Sequence, residues 1–205
     1  WVGITRLHSG TPFHRHPLGQ RTVGLTESAD FLHWTRAVEV LWGEPDNQTY
    51  SMQIFRCGDI YLGLLMIIRL AEDRVHCELT WSPDALKWER IDPGTPLIAN
   101  ASTRGDYDWG CVYAASNPIV SQDNIRIYYG GSNDLHGGWR AGALCLATLR
   151  PDGWAGYGTG RCRTGRNRHY NPAGVPQQAK ADGGRSAGVG AGNSYRCRGQ
   201  GTGNG

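Results

Sequence analysis

Apolar residues along this chain alternate with polar ones or form short continuous runs, and helical spacing is poor. Asp59-Ile60-Tyr61-Leu62-Gly63-Leu64-Leu65-Met66-Ile67-Ile68 is too short for a membrane span. Its length and branched residues predict a buried strand. Asn124–Gly131 alternates more cleanly and reads as another strand. Val75–Trp81 reads as a half-buried strand that runs into a turn signal at Ser82-Pro83-Asp84. Tyr50–Phe55 and Cys111–Ser116 are further expected strands.

The turn signal repeats. Ser28-Ala29-Asp30-Phe31-Leu32-His33-Trp34 returns 54 positions later as Ser82-Pro83-Asp84-Ala85-Leu86-Lys87-Trp88. A looser third copy lies at Leu146–Trp154. An Asp at such a position accepts from the backbone amide two residues on and fixes the turn. The Trp is then expected on the returning strand, covering apolar area between neighbouring sheets. Recurrence at equivalent turns favours turn chemistry over catalysis for Asp30, Asp84 and Asp152.

Each unit therefore reads as four short strands. One unit spans about residues 50–91 and the next about 112–156, with a partial unit before Arg36. Four-stranded units at such periods predict a β-propeller. Steps of 54 and 68 residues imply inserted loops, which line sites in such folds. A β-sandwich is the alternative. The fold expectation is all-β: a partial five-bladed β-propeller of two full blades and part of a third, over residues 1–157.

With 205 residues, the chain is too short for a complete ring at this period, and a partial ring leaves open edges. It is expected to be a fragment, since it begins at Trp1 without Met and in the middle of a strand. Alone, it is expected to be inactive. Composition changes after Tyr157. Residues 158–205 contain no Leu, Ile, Phe, Met or Trp, and carry 13 Gly and eight Lys or Arg against the single acid Asp182. Such a segment buries too little apolar surface to offset its ordering entropy. It reads as a disordered tail, or as a frame-shifted reading of GC-rich DNA. The first 157 residues are net −4 and the tail +7, so the overall +3 describes two unlike pieces. A basic tail can contact phosphates, but it has no regular Arg-Gly-Gly repeat and the core is acidic. No nucleic-acid or membrane partner is expected, and oligomeric state and location are left open.

Six cysteines show no zinc spacing. Cys57, Cys77, Cys111 and Cys145 read as buried thiols, with a Cys57–Cys77 bridge as an open possibility. His14 and His16 lack a carboxylate or a third ligand, so neither a metal nor a cofactor is assigned. The best site candidate is Gly105-Asp106-Tyr107-Asp108-Trp109-Gly110, where acids and rings precede an inner strand. A carboxylate beside an aromatic platform suits a sugar: the ring stacks on the pyranose face and the acid serves hydroxyls or the glycosidic oxygen. Asp108 is the candidate catalytic residue, and Asp106 a weaker one. Trp109 and Tyr113 are the expected substrate-facing rings. Asn133, Asp134 and His136, in a Gly-rich loop, suit hydroxyl recognition, and Arg21, just before an expected strand at Val23-Gly24-Leu25, is a further polar contributor. The alternative for each is an ordinary turn or hairpin loop.

Four blocks carry a resemblance: Thr26–Trp34, Trp81–Trp88, Tyr128-Tyr129-Gly130-Gly131-Ser132-Asn133, and Leu146-Ala147-Thr148-Leu149-Arg150-Pro151-Asp152-Gly153. Through them, residues 21–157 resemble the five-bladed β-propeller glycosidases of glycoside hydrolase families 32, 43 and 68. The resemblance implies cleavage of glycosidic bonds by carboxylates in a central funnel. Their separation would be roughly 5 Å for retention and ~6.5–9.5 Å for inversion. The Trp-Met-Asn-Asp-Pro-Asn-Gly and Arg-Asp-Pro motifs of family 32 have no match here. Glu78 follows Cys77, the reverse of the family's Glu-Cys order. No catalytic residue transfers, and Asp108 is chosen by position. The chain also resembles mannoside-phosphorylase-like propellers, which would use Arg140 and His136 for phosphate. A non-catalytic carbohydrate-binding propeller and a scaffold remain the readings of a different class.

Overall fold

The computed structural model describes residues 1–9, 19–138 and 141–155, and the backbone of Ser194–Gly199. Every regular element among them is a strand. The first sheet is antiparallel, β1 (Val2–Ser9), β2 (Gln20–Glu27) and β3 (Val38–Trp42). A second antiparallel meander follows, β4 (Asn47–Cys57), β5 (Ile60–Arg69), β6 (Arg74–Ser82) and the short β7 (Glu89–Arg90). The third group holds β8 (Cys111–Ala114), β9 (Ile119–Val120), β10 (Ile125–Ser132) and β11 (Gly142–Leu149). A single parallel pair, Val75 with Cys111, joins β6 to β8 and makes the second and third groups one sheet. Of the expected tail, only β12 (Ser194–Gly199) is described, and it pairs with β11. The rest of that segment, with His14, His16 and Arg140, lies outside the described residues. Among the described residues, no helix is long and apolar enough to cross a membrane.

The continuous apolar run of β5 has a simple cause, burial on both faces. Leu62, Leu64, Met66 and Ile68 pack with Val112, Ile127 and Leu149 of the third group. Leu65 and Ile67 point the other way, to Val23 and Leu41 of the first sheet. The β5–β6 sheet is thus the middle of three layers. Its face toward the first sheet also carries a charged network. Glu78 is fully buried. Its Oε1 meets His76 Nε2 at 2.9 Å and accepts from the Gly94 amide at 3.0 Å. Its Oε2 accepts from Arg90 Nε at 3.0 Å and Nη2 at 2.8 Å. Arg90 Nη1 reaches on to Glu44. Glu78 is therefore an interior ion-pair member.

The two Ser-x-Asp-x-x-x-Trp copies form the same turn. In each, Ser Oγ accepts from the Asp amide at 3.3 Å, and Asp Oδ1 accepts the amides two and three residues on at 2.9 and 2.8 Å. The residue after each Asp, Phe31 and Ala85, takes a positive φ of 65° and 64°. The Trp indole then donates back to that residue's carbonyl. Trp34 and Trp88 thus close the turn and precede β3 and β7, where the sequence placed them on the returning strand. Trp88 is 6% exposed and belongs to the core, whereas Trp34 is 39% exposed and packs edge-on against Phe31. The third copy differs: Asp152 itself has the positive φ, 55°, and the Gly153 amide bonds to Arg150 O. Asp84→Ala is expected to lower the thermal midpoint more than Asp30→Ala, because only the Asp84 turn seats a core Trp. Asp84→Asn, which keeps the acceptor, should recover most of the loss in the same melting experiment.

Two cysteine expectations are corrected. Cys57, half-buried, and Cys77, buried, are both free, so no bridge joins them. Cys145 is disulfide-bonded, so it is not a free thiol.

Candidate functional site

Strand direction gathers most of the predicted residues at one end. β4 and β8 begin there, β5 turns into β6, β10 turns toward β11, and β2 starts beside the end of β1. The turn copies at Ser28 and Ser82 lie at the opposite end. The separation follows from antiparallel meanders, whose alternate connections fall on alternate sheet edges.

The loop before β8 is tied down from β6. Arg74 Nε donates to Trp109 O at 2.8 Å and its Nη2 to Ala101 O at 3.3 Å. Asn100 Nδ2 donates to Val75 O and Asp108 O. Asp108 is buried as a result, and its Oδ2 accepts from the Tyr129 hydroxyl at 2.7 Å. Burial raises the Asp108 carboxyl above its ordinary pKa; the Tyr129 bond opposes this, and nearby Asp106 adds to the rise. The carboxyl thus holds its proton more firmly than an exposed Asp. The Trp109 ring is faced by guanidinium groups, Arg74 at 4.5 Å and Arg104 at 5.3 Å from its centre. Arg104 also donates to Asp134 Oδ1 at 3.0 Å. The hydrogen bond from the Leu135 amide and then the one from Arg104 hold Asp134 below its ordinary pKa. Gly110 permits this contact between loops, since a Cβ there would run into the Asp134 carbonyl.

Asn133 closes the β10–β11 loop on itself, its Oδ1 accepting from the Ala141 amide at 3.0 Å. His136 leaves that loop toward a second cluster centred on Tyr50. The rings of Tyr50 and Tyr113 lie 5.7 Å apart, and His136 Nε2 is 3.1 Å from Tyr50 Oη. His136 Nδ1 is 3.6 Å from Asp73 Oδ1, and Asp73 also accepts from the Gly137 amide at 2.8 Å. Arg21 and Arg6 place their guanidinium carbons 5.6 and 5.7 Å from the centre of the Tyr50 ring.

Backbone irregularity positions Tyr50. Thr49 pairs with Ile67 and Ser51 with Met66, so Tyr50 is the extra residue of a β-bulge. A bulge reverses the alternation of the strand beyond it. Met52 and Ile54 face the first sheet, yet Tyr50, of the same parity, packs with the third group. The bulge thereby turns this ring toward Tyr113 and His136.

The structure brings Tyr113, His136 and Arg21 together around Tyr50. It groups Trp109 and Asp134 through Arg104, and buries Asp108 behind them against Tyr129. Arg21 lies within β2, where the sequence placed it just before a strand. Arg6, Asp73, Arg74 and Arg104 were not anticipated. Among the described residues, no group of three His, Cys, Asp or Glu side chains gathers as a metal site.

No family model and no curated protein matches the chain. A solved structure described as a glycoside hydrolase is similar in fold, with a TM-score of 0.55 and 20% identity. The match covers 72% of this chain and 40% of that one, so the chain spans well under half of that protein's length.

Proposed function

We propose that this chain is part of a carbohydrate-active β-propeller of the glycosidase type, with its three strand groups as successive blades and its site at the end where β4 and β8 begin. The observation that carries this reading is the buried Asp108, held by the Tyr129 hydroxyl, at the loop end of a glycoside-hydrolase-like fold. A carboxyl with a raised pKa suits a general acid, which must be protonated to give its proton to a departing glycosidic oxygen. Trp109, Tyr113, Asn133, Asp134, His136 and Arg21 are assigned to substrate contacts. Trp109 acts in concert with Arg74 and Arg104, which face its ring, so its share is to position the loop as well as to offer an aromatic edge.

The second carboxylate that the chemistry requires is not assigned to Asp73 or Asp134, which are engaged by His136 and Arg104. On this reading it comes from the rest of the ring. A panel of oligosaccharides, with and without inorganic phosphate, separates the alternatives. A glycosidase releases reducing sugar in water alone. A phosphorylase releases sugar phosphate and needs phosphate. A binding propeller shows affinity without product. Absence of both affinity and product across the panel overturns the carbohydrate reading.

A further inference from the structure

We propose that the face of the first sheet that carries Trp34 is an interaction surface for a second copy of this chain, docked head to tail by the outer face of that copy's third strand group. The argument starts from the repeat, which extends beyond the turns. Gly3 pairs with Thr26 in the first sheet, and Gly63 pairs with Thr80 in the second group. Trp34 lies over the first pair and Trp88 over the second: a Cβ on Gly3 or Gly63 would stand 3.0 or 3.1 Å from the indole Cζ3. Strands β1 and β2 therefore correspond to β5 and β6. By the same register Trp1, Leu7 and Phe31 correspond to Tyr61, Ile67 and Ala85. In the second group this face is covered. Ile67, Ala85 and Trp88 are buried against Val23 and Leu41 of the first sheet, with Tyr61 packed beside them. In the first sheet the same face is open. Phe31 is 60% exposed, Trp1 and Trp34 are also exposed, and both indoles meet the Phe31 ring edge-on.

The covered copy of this face identifies what fits the open one: another sheet of the same kind, presenting apolar side chains. The chain carries such a sheet on the far side of its stack. On β10 and β11, Ile127, Tyr129, Cys145 and Ala147 pack toward the second group. Strand alternation turns Tyr128 and Leu144 to the opposite, outer face, where both are exposed, Leu144 to 65%. Clustered exposed aromatic and aliphatic side chains mark interaction surfaces, and Trp, Phe and Tyr are enriched at the cores of interfaces. The two open faces are different surfaces, so the contact is heterologous and joins the first sheet of one copy to the third group of the next. The inference goes beyond the carbohydrate reading and does not depend on it.

The test is sedimentation velocity of the full chain over a series of concentrations. The average mass should rise with concentration to that of two chains or more. Phe31→Asn and Leu144→Arg, both at exposed positions, should each weaken the association about tenfold or more. An equimolar mixture of the two variants should form a two-chain complex and nothing larger, because each variant keeps the face that the other has lost. Phe31→Ala gives this turn the residue that Ala85 supplies to the second one at the same positive φ, so it carries the test where Phe31→Asn fails to fold. A chain that stays monomeric at every concentration overturns the inference and leaves the Trp34 face to a sheet of another polypeptide. Association weakened by the Phe31 variants but not by Leu144→Arg overturns the head-to-tail order in favour of two Trp34 faces paired with each other. Association that neither face's variant weakens, or variants that stay apart on mixing, overturns it as well. Each of these outcomes leaves the carbohydrate reading standing, since that reading is decided by the sugar panel alone.

Discussion

Arg90→Met is expected to destabilise the chain by roughly 3–5 kcal/mol, the range for removing one partner of a buried ion pair. Both Arg90 and Glu78 have almost no exposed side chain, so solvent screening does little to reduce the effect. The loss is mainly the penalty of leaving the charged Glu78 beneath the first sheet without the guanidinium on its Oε2. Its pH dependence follows from the direction of the Glu78 shift. Burial pushes this carboxyl up, but the bonds from His76 and Arg90 outweigh it and leave the pKa below the ordinary 4.5. A carboxyl with a depressed folded pKa contributes stability above its unfolded value, and loses it as pH falls through the folded one. In the variant Glu78 can protonate more readily, so the gap between variant and parent should narrow as pH is lowered below about 4.5. Denaturant unfolding at neutral and acidic pH measures both effects. A gap that is small at neutral pH, or that widens in acid, contradicts this account of the network.

Asp108→Asn is expected to lower glycoside turnover by a factor of about a hundred or more, the usual contribution of a positioned general acid. The amide oxygen of Asn can still accept the Tyr129 hydroxyl bond, so the loop should keep its place. Stability should move the other way. The raised folded pKa of Asp108 means that the native state binds its proton more tightly than the unfolded chain. That stability is present below the unfolded pKa and is lost as pH rises through the folded pKa. Asn has no proton to lose, so the variant should be as stable as the parent or more so near pH 7, with lower turnover. Tyr129→Phe removes the bond that lowers the Asp108 pKa, and should shift the acid's titration in the rate profile to higher pH. Turnover of Asp108→Asn equal to the parent's, in a form that otherwise cleaves glycosides, removes Asp108 from the mechanism.

The strands were legible because their burial is regular, continuous in β5 and alternating in β10. β5 is apolar on both faces since both faces are covered, and the Ser-x-Asp-x-x-x-Trp turns rest on bonds within a few residues. The exposure of Trp34 was not legible from that local pattern: it depends on what packs above the turn, and only Trp88 has a second sheet there. Asp108 was chosen by position, but its partner Tyr129 lies on β10, and no local pattern couples the two. The Tyr50 cluster was the least visible. Its geometry depends on a one-residue bulge, which leaves no mark in the alternation of a strand buried in part on both sides. The arginines that meet Tyr50 belong to strands more than twenty residues away.

The two ends of the sheets offer the most direct test. One carries the fixed turns with Trp34 and Trp88, and the other carries Tyr50, Tyr113, His136 and the Asp108 loop. Two-dimensional NMR of the isotope-labelled chain, titrated with the oligosaccharide it binds best, maps which end responds. Shifts should cluster at Arg21, Tyr50, Tyr113, His136 and Trp109, with those at Leu86–Trp88 unchanged. Shifts centred on the Trp34 and Trp88 turns, or none with any sugar, would contradict a carbohydrate site at the loop end.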